Sequence, residues 1–477
     1  MIEKFLCKKN DILLDALRKI NGNGRGVVFV TEDDKLCGVL TDGDIRRLLL
    51  DGRNLSEHLG NLTNKKFVYA KKSEKYGEII KKFSPQIRII PVVDENFKVV
   101  DYAECKTDIH VPLISPDLTG KEMEYLIEAF LSTWISSSGN YLGEFERMFA
   151  DFCECQHGIA VSNGTVALHL GLMALGVGKG DEVIVPDLTF AATINAVLHA
   201  QAAPVIVDIE KDSWCIDPRE IEKAITPNTR AIIPVHLYGQ PCDMSAIMAI
   251  AKKNHLFVLE DCAEAHGASF DGKKVGSFGD IGCFSFFGNK IITTGEGGMC
   301  VTNSQELDEK MRVLRDHGMS KTKKYWHEVI GYNYRMTNLQ AAIGVAQLER
   351  IDKIIEARGK TEEQYRKQLA GEKLIEFQRN DLPKRGKVTW LVSALVKKGI
   401  KDACMSKLKE RKIDVRPFFY PLGEMDIYKK YVFSNKISRE ISKQGITFPS
   451  NTNLNEDIFR AIKEVIKASA NEMSECS

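Results

Sequence analysis

The sequence lacks any apolar run that approaches the roughly 20 residues a membrane-spanning helix needs. Its opening stretch, MIEKFLCKKNDILLDALRKI, lacks the apolar core and the small-residue cleavage site of a signal peptide. It also lacks a net charge of either sign, because 66 basic side chains are balanced by 65 acidic ones. The first two absences predict a cytoplasmic chain without membrane insertion. The third removes the general electrostatic attraction for nucleic acid and anionic membranes, so neither is an expected partner.

Paired cysteine motifs are missing as well. Twelve cysteines are scattered along the chain without a CxxC pair, and the single CxC, Cys153 and Cys155, has no second pair nearby. The common zinc sites need such a second pair or two histidines at fixed spacing. The sequence therefore predicts reduced, mostly buried thiols and no metal site.

The first hundred residues of this 477-residue chain repeat one pattern. DILLDALRKI is helix-like, GVVFV and LCGVL are strand-like, and TDGDIRRLLLDG opens a second helix. A weaker copy follows, with KYGEIIKKF as helix and RIIPVVD and KVVDYAE as strands. Two units of about 50 residues predict an internally paired α+β module.

This module resembles a tandem CBS domain, a regulatory fold that commonly binds adenosine nucleotides between its repeats. The resemblance rests on GVLTDGDIRR, where Thr41 and Asp44 match the ribose-contacting pair and Arg46 and Arg47 are candidate phosphate partners. The second repeat has VVDYAECKT at that place, so at most one nucleotide site is expected. The alternative is a structural or oligomerising module in which Asp44 caps the following helix. We assign the module to residues 1–108, with a linker near 105–115.

From about residue 116 the sequence has the rhythm of an α/β domain. Short apolar runs recur with helical stretches between several of them: EVIVP (182–186), PVIVDI (204–209), RAIIPVHLY (230–238), LFVLED (256–261) and GCFSF (282–286). We predict a largely parallel sheet covered by helices on both faces. Ligands of such sheets bind beyond the carboxyl ends of the strands.

Two weak signals follow the first strands of this set. Gly164 and Thr165, after a strand-like IAVS, open an apolar helix whose free N–H groups would bind a phosphate. Phe190 follows EVIVPD and offers a stacking surface. Taken alone, the first is an ordinary helix cap and the second an ordinary core residue.

Two stronger signals follow the later strands. Asp261 ends a buried strand, where a carboxylate is costly unless a cationic partner stabilises it. Ser285 and Lys290 follow GCFSF and place a hydroxyl and an amine on one turn. A lone loop lysine is usually a solvated cation, but here it joins the rest of the set.

A phosphate cradle, an aromatic plate, a buried carboxylate and a lysine at the ends of different strands describe a pocket for pyridoxal 5′-phosphate (PLP). In that chemistry Lys290 forms a Schiff base with the cofactor and shuttles a proton. Asp261 keeps the pyridine nitrogen protonated so that the ring accepts electrons, and Phe190 fixes the plane of the ring.

From about 110 to 470 the chain resembles the sugar aminotransferases of the DegT/DnrJ/EryC1/StrS family. The resemblance is carried by STWISSSGNYLGEFE, VSNGTVALHL, EDCAEAHGA, SFFGNKIITTGEGGM, DHGMSK, YWHEVIGYNYRMTNLQAAIGVAQLERID and VRPFFYPL. It implies an α/β chain with the aspartate aminotransferase (type I) fold, preceded by the CBS pair. The implied PLP-binding large domain spans 109–355, and the smaller C-terminal α/β domain spans 356–477.

The resemblance also implies residue roles. It implies that Gly164, Thr165 and Ser285 bind the phosphate. It also implies that Lys290 is the Schiff-base lysine, that Asp261 pairs with the pyridine nitrogen and that Phe190 stacks on the ring. Asn333 matches a residue that reaches the phosphate from the neighbouring subunit, which implies a homodimer. Glu264 stands where many relatives carry glutamine or histidine near the 3′-oxygen, and a carboxylate there must be protonated or turned away. Substrate contacts are expected from Trp134, His317, Tyr325 and Arg416.

The implied activity is ping-pong transfer of an amino group from L-glutamate to the C4 ketone of a nucleotide-linked 4-keto-6-deoxy sugar. A GDP-linked sugar is the first expectation, and UDP- or dTDP-linked sugars are the alternatives. A PLP-dependent sugar dehydratase of this fold would carry histidine in place of Lys290. A PLP-binding sensor without turnover would not need Lys290 together with Asp261.

Overall fold

Two units account for the chain, Met1–His110 and Val111–Ser477. The computed structural model describes residues 2–63, 66–74, 78–79, 82–84, 87–104, 110–452 and 454–475. Among these residues, no helix has the length and apolar character that crossing a membrane requires. The ten cysteines of the described ranges form no disulfide, and nine of them are buried.

The N-terminal unit contains two three-stranded sheets of the same plan. In each, the middle strand is parallel to one neighbour and antiparallel to the other. Its strands are β1 Leu6–Lys8, β2 Val27–Glu32, β3 Lys35–Thr41, β4 Ala70–Lys71, β5 Ile89–Val93 and β6 Val99–Glu104, and its helices are α1 Leu13–Asn23 and α2 Asp42–Leu50. The repeated topology agrees with the predicted internal pairing. The predicted helix over 75–83 lies mostly outside the described residues.

The second unit is built on a seven-stranded sheet with the order β7-β15-β14-β11-β10-β8-β9. These strands are β7 His157–Val161, β8 Glu182–Pro186, β9 Ala203–Val207, β10 Thr229–Ile232, β11 Phe257–Asp261, β14 Ile281–Ser285 and β15 Gly298–Thr302. Each of the five predicted apolar runs overlaps one of them, and β14, β11, β10, β8 and β9 pair in parallel as predicted. Strand β15 was not predicted, and it runs antiparallel to both neighbours.

Alternation along each strand supplies a core on both faces of this sheet. In β8, Ile184 packs into the cluster that contains Phe284 and Phe286, while Val183 and Val185 pack into the opposite cluster. Successive strand residues point to opposite faces, so a run of consecutive apolar residues covers both. The helices of this part are α3 Glu122–Leu131, α4 Asn140–Phe152, α5 Gly164–Ala174, α6 Ala192–His199, α7 Pro218–Ala224, α8 Met244–Asn254, α9 Gln305–Arg315 and α10 Asn338–Leu348.

A four-stranded antiparallel sheet with the order β16-β18-β20-β19 lies in the C-terminal part of the unit. Its strands are β16 Ile375–Phe377, β18 Val392–Val396, β19 Arg416–Pro417 and β20 Gly445–Phe448, with helices α11 Ile351–Gln368, α12 Lys401–Glu410, α13 Lys436–Ser442 and α14 Glu456–Glu475. The short strands β12 Ser269–Phe270, β13 Lys273–Lys274 and β17 Arg385–Gly386 form a further small sheet. Helix α11 runs through the predicted domain boundary at 355/356, which stays a prediction.

Candidate active site

The carboxyl ends of β11 and β14 and the N-terminus of α5 open into one cavity of about 600 Å³. The predicted residues that line this cavity are Gly164, Thr165, Phe190, Asp261, Glu264, Ser285, Lys290 and Arg416. They come from segments that are separated by up to about 250 positions in the sequence. The sheet topology therefore assembles the predicted set at the edge where ligands of parallel sheets bind.

Lys290 lies on the loop that joins β14 to β15. The base of this loop is closed by the Phe286 N–H, which donates to the carbonyl of Gly297 at 2.8 Å. The Lys290 Nζ lies 3.9 Å from the centroid of the Trp390 ring and 3.8 Å from Oε1 of Glu264. Burial lowers the pKa of Lys290, although the nearby carboxylates oppose that shift. A larger fraction of neutral amine is thus present at neutral pH than on an exposed lysine.

Asp261 is the last residue of β11 and is 5% exposed. Its Oδ2 accepts a hydrogen bond from the Thr193 hydroxyl at 2.8 Å, and its Oδ1 accepts one from the Ala263 N–H at 3.2 Å. The Thr193 hydroxyl is also 3.0 Å from that of Thr189. Burial raises the pKa of Asp261, so its carboxylate favours a cationic partner inside the cavity.

The N-terminus of α5 lies directly against the end of β14. The side chain of Asn163 caps the helix by accepting the Val166 N–H at 3.0 Å, which leaves earlier N–H groups of the first turn available. A Cβ atom on Gly164 would lie 2.7 Å from Cβ of Ser285, so only glycine permits this approach. The arrangement places helix N–H groups beside a hydroxyl, as an anion site requires.

Glu264 and Phe190 stand at two other places on the cavity wall. The Glu264 Oε2 accepts the Tyr238 N–H at 2.8 Å, and burial raises the pKa of this carboxyl to about 7. It is therefore partly protonated at neutral pH, one of the two conditions expected from the sequence. The Phe190 ring is 58% exposed and lies 5.9 Å from the ring of Phe419. It is an exposed aromatic surface rather than a core residue.

These features agree with one family of enzymes. A sequence model of the DegT/DnrJ/EryC1/StrS aminotransferase family matches residues 116–468. The chain belongs to this family. A CBS domain model matches residues 1–51, which cover the first of the two N-terminal repeats. The family and the N-terminal domain predicted from the sequence are both confirmed.

Relatives within the family cover most of the second unit. The chain is 45% identical over 349 residues to the GDP-perosamine synthase of Escherichia coli O157:H7, covering 73% of this chain and 95% of that one. It is 45% identical over 360 residues to the GDP-perosamine synthase of Caulobacter vibrioides, covering 74% and 96%. It is similar to the solved structure of Spr1654 from Streptococcus pneumoniae in its PLP form, with a TM-score of 0.72, 27% identity, and coverage of 76% and 99%. The predicted fold class is confirmed.

Aminotransferases of this family depend on PLP, and the predicted cofactor is confirmed. The residues of this chain fit it. The Gly164 and Ser285 contact suits a phosphate, and the buried Asp261 suits the protonated nitrogen of a pyridine ring. Lys290 supplies a buried amine in the same cavity. These three groups match the phosphate, the pyridine nitrogen and the aldehyde of the cofactor.

Four predicted residues lie outside the cavity lining of the single chain. Asn333 and His317 are joined by Arg335, which donates to Oδ1 of Asn333 at 3.1 Å and lies 3.3 Å from Nε2 of His317. Tyr325 is 78% exposed and Trp134 is 60% exposed. The single chain thus brings neither the predicted partner-subunit residue nor these substrate contacts to Lys290.

The structure adds residues of this cavity that the sequence reasoning missed. Thr193 holds Asp261, and Trp390 lies against the Lys290 amine. Thr189 and Thr193, two hydroxyl residues four positions apart soon after the end of β8, were a usable signal. No local signal pointed to Trp390, which is 100 positions from Lys290 in the sequence.

A buried group of His236, Glu260 and Cys262 places three ligand-type atoms within 4.8 Å of one another. Their hydrogen bonds account for the cluster without a metal. Both Glu260 oxygens accept backbone N–H groups of the turn 276–279 at 2.7–2.8 Å. His236 uses Nε2 toward Glu260 and Nδ1 toward the Cys242 N–H, each at 3.1 Å. The cluster thus anchors a turn beside β11.

In the N-terminal unit, Thr41 and Asp44 form a reciprocal capping box at the start of α2. Asp44 Oδ2 accepts the Thr41 N–H at 2.9 Å and the Thr41 hydroxyl at 2.7 Å, and the Asp44 N–H donates to Oγ1 of Thr41 at 3.2 Å. Arg47 pairs with Asp44 at 2.6 Å, and Arg46 pairs with Asp42 at 2.7 Å. Burial raises the pKa of Asp44, but the hydrogen bonds from Thr41 and Arg47 outweigh burial and lower the pKa below its usual value. A helix-capping role for the pair is therefore present, and nucleotide binding stays a prediction.

Proposed function

We propose that this aminotransferase moves an amino group from L-glutamate to the C4 ketone of GDP-4-keto-6-deoxymannose, giving GDP-perosamine. The observation that carries the proposal is the largely buried amine of Lys290, whose side chain is 13% exposed, in one cavity with the buried carboxylate of Asp261 and the α5 terminus. The 45% identity to two GDP-perosamine synthases over nearly their whole length supports this sugar. UDP- and dTDP-linked keto sugars are the alternatives that the experiment below separates.

PLP supplies, when bound, a sink for the electron pair of the breaking Cα–H bond. Lys290 is the proposed proton carrier. Burial favours the neutral form of Lys290, which would accept the proton from Cα of the amino donor. The resulting ammonium would deliver that proton to C4′ of the cofactor. Where Glu264 is ionised, its carboxylate stabilises the ammonium form by Coulomb attraction across 3.8 Å. The same amine acts in both half-reactions, and the order is ping-pong because the keto acid formed from glutamate leaves before the sugar ketone binds.

The other residues orient the reacting parts. Asp261 is proposed to hold the proton on the pyridine nitrogen, and the Thr193 hydroxyl fixes the direction of that carboxylate. The α5 N–H groups with Thr165 and Ser285 are proposed to bind the phosphate, and Phe190 to cover the ring. Proximity and orientation of this kind lower the barrier because the reacting groups need not be brought together in each turnover.

A homodimer is the proposed active unit. Asn333 is exposed and outside the cavity of its own chain, as expected of a residue that completes the site of a second subunit. Large apolar side chains are also exposed, including Phe130 at 63%, Leu131 at 73% and Ile330 at 92%. Contiguous exposed apolar side chains commonly mark a protein interface, and Phe130 and Leu131 are neighbours at the end of α3.

The experiment is an amine-transfer assay with L-glutamate against GDP-, UDP- and dTDP-linked 4-keto-6-deoxy sugars, with products identified by mass. We expect an amino sugar from the GDP-linked substrate. Lys290→Ala should lose activity by about 10²- to 10⁴-fold or more, and Lys252→Ala, an exposed control, should keep it. Amine transfer to a UDP- or dTDP-linked sugar alone would show that the substrate carries that nucleotide and not GDP. Loss of a sugar hydroxyl without gain of nitrogen, with the C4 ketone retained, would indicate a dehydratase.

A further inference from the structure

The Lys290 loop is held by a buried arginine on a distant helix. Arg358 on α11 is 4% exposed, and its guanidinium donates to the carbonyls of Lys290 at 2.9 Å and Ile291 at 3.3 Å. A third bond, at 3.0 Å, goes to the carbonyl of Trp390. No carboxylate among the described residues lies within ion-pairing distance of Arg358. The buried guanidinium therefore binds backbone oxygens of two segments, the Lys290 loop and the segment that contains Trp390.

Trp390 completes the arrangement from the other side. Its indole N–H donates to the carbonyl of Asn289 at 2.8 Å, and its ring face lies 3.9 Å from Nζ of Lys290. The side chain is 4% exposed and stacks on Tyr238 at a centroid distance of 6.1 Å. Both the backbone before Lys290 and the amine at the end of its side chain are therefore fixed by one indole.

These contacts are poorly explained by packing alone. An apolar side chain in place of Arg358 would avoid burying a guanidinium, whose burial lowers its pKa to about 10. The guanidinium is buried at the loop that carries Lys290, whose side chain is 13% exposed. A cation over the face of tryptophan is stabilised by the ring quadrupole, which favours the ammonium form against the effect of burial.

We infer that Arg358 and Trp390 are positioning residues for the amino-transfer reaction, a bracket that fixes the direction of the Lys290 amine and restores part of its basicity. The inference rests on the proposed role of Lys290. Misplacement of a reacting group by about 1 Å can cost about 100-fold in rate, so the bracket acts on turnover more than on substrate binding.

The variants separate positioning from packing. Trp390→Leu removes the ring and the donor, whereas Trp390→Phe keeps a ring face and loses only the bond to Asn289. Arg358→Met removes all three donors, and Arg358→Lys keeps the charge. Matched controls are Trp214→Leu, a buried indole that packs on Phe418 at 5.0 Å, and Arg366→Met on the same helix, which binds Glu362.

The holoenzymes are compared by three measurements. These are kcat and KM for L-glutamate, the pH at which the cofactor absorbance changes in the absence of substrate, and Tm. The absorbance titration requires no sugar and no turnover, so it reports on the bracket even if the proposed sugar proves wrong.

We expect Trp390→Leu and Arg358→Met to lower kcat about 30- to 100-fold with KM within about threefold of wild type. The absorbance pKa of Trp390→Leu should fall by about one unit, and Trp390→Phe should recover most of that fall. Arg358→Lys should fall between wild type and Arg358→Met. The controls should lower Tm while keeping kcat and the absorbance pKa.

Two results would overturn the inference. One is a kcat loss in the controls within about threefold of the loss in the bracket variants at similar Tm. The other is an unchanged absorbance pKa in Trp390→Leu. If Arg358→Met does not fold, Arg358→Lys and the two Trp390 variants decide the question by the same criteria.

Discussion

Adding one methyl group at Gly164 should weaken cofactor binding while changing no charge and no donor. The new Cβ would lie 2.7 Å from Cβ of Ser285 and 3.3 Å from its Cα, where ordinary contact begins at 3.4 Å. The start of α5 must therefore move from the end of β14 by about 0.7 Å, the difference between 2.7 and 3.4 Å. Overpacking of this kind costs about 1–3 kcal/mol of stability.

The same displacement moves the helix N–H groups away from the Ser285 hydroxyl, so the phosphate cannot bind both at full strength. Loss of one charge-assisted hydrogen bond, worth about 1.5–3 kcal/mol, corresponds to about 10- to 150-fold weaker PLP binding. The assay is Kd for PLP by fluorescence titration of cofactor-depleted Gly164→Ala, with Tm measured in parallel.

Gly143→Ala is the matched control, because Gly143 lies inside α4 and a methyl group added to it would meet no heavy atom within 4 Å. An alanine there should stabilise the helix by about 0.5–1 kcal/mol and leave PLP binding unchanged. A Gly164→Ala protein that binds PLP within twofold of wild type would refute the placement of the phosphate between α5 and β14.

Three other predictions follow from the same structure. Mixing inactive Lys290→Ala with inactive Asn333→Ala chains should restore part of the activity, because a heterodimer holds one site with both residues; no recovery after verified subunit exchange would contradict a role of Asn333 across the interface. Burial raises the pKa of Glu264 from 4.5 to about 7, so the folded protein binds a proton there that the unfolded chain releases, and the free energy of unfolding should fall by about 2–3 kcal/mol as pH rises through that window. Glu264→Gln should lack this part of the fall in urea titrations at pH 5, 6 and 7, and an identical pH profile would exclude Glu264 as its source. Asp44→Ala should destabilise the N-terminal unit by about 1 kcal/mol through loss of the cap, and calorimetry with AMP, ADP, ATP and GDP should show nucleotide binding to wild type and not to the variant; equal binding to both, or none at millimolar concentration, would leave only the structural role.

The central sheet and the ends of its strands were predictable because buried parallel strands leave continuous apolar runs. Asp261 was the most informative residue, since a carboxylate directly after such a run is costly without a partner. The same logic placed Gly164, Ser285 and Lys290 at one edge, and the structure brings them to one cavity.

The supporting residues were not predictable, because their contacts join distant parts of the sequence. Thr193 and Arg358 are each 68 positions from the residue they hold, and Trp390 is 101 positions from Asn289. Strand β15 escaped because its five residues follow a glycine-rich turn with no periodicity of their own. Such elements are specified by the strands beside them rather than by local pattern.

The position of β15 between β14 and β7 sets the order in which the site can form during synthesis. β14 and β15 are close in sequence and can pair early as a local hairpin, whereas β7 precedes β15 by more than 130 residues. Closing that long loop is slow relative to hairpin formation. Until β7 pairs with β15, the N-terminus of α5, which directly follows β7 in the sequence, is not held beside Ser285. The nascent chain must therefore extend past Thr302 before it can hold the α5 terminus beside Ser285. PLP binding can stabilise the completed sheet, but it cannot stabilise the earlier folding steps, because its site does not yet exist.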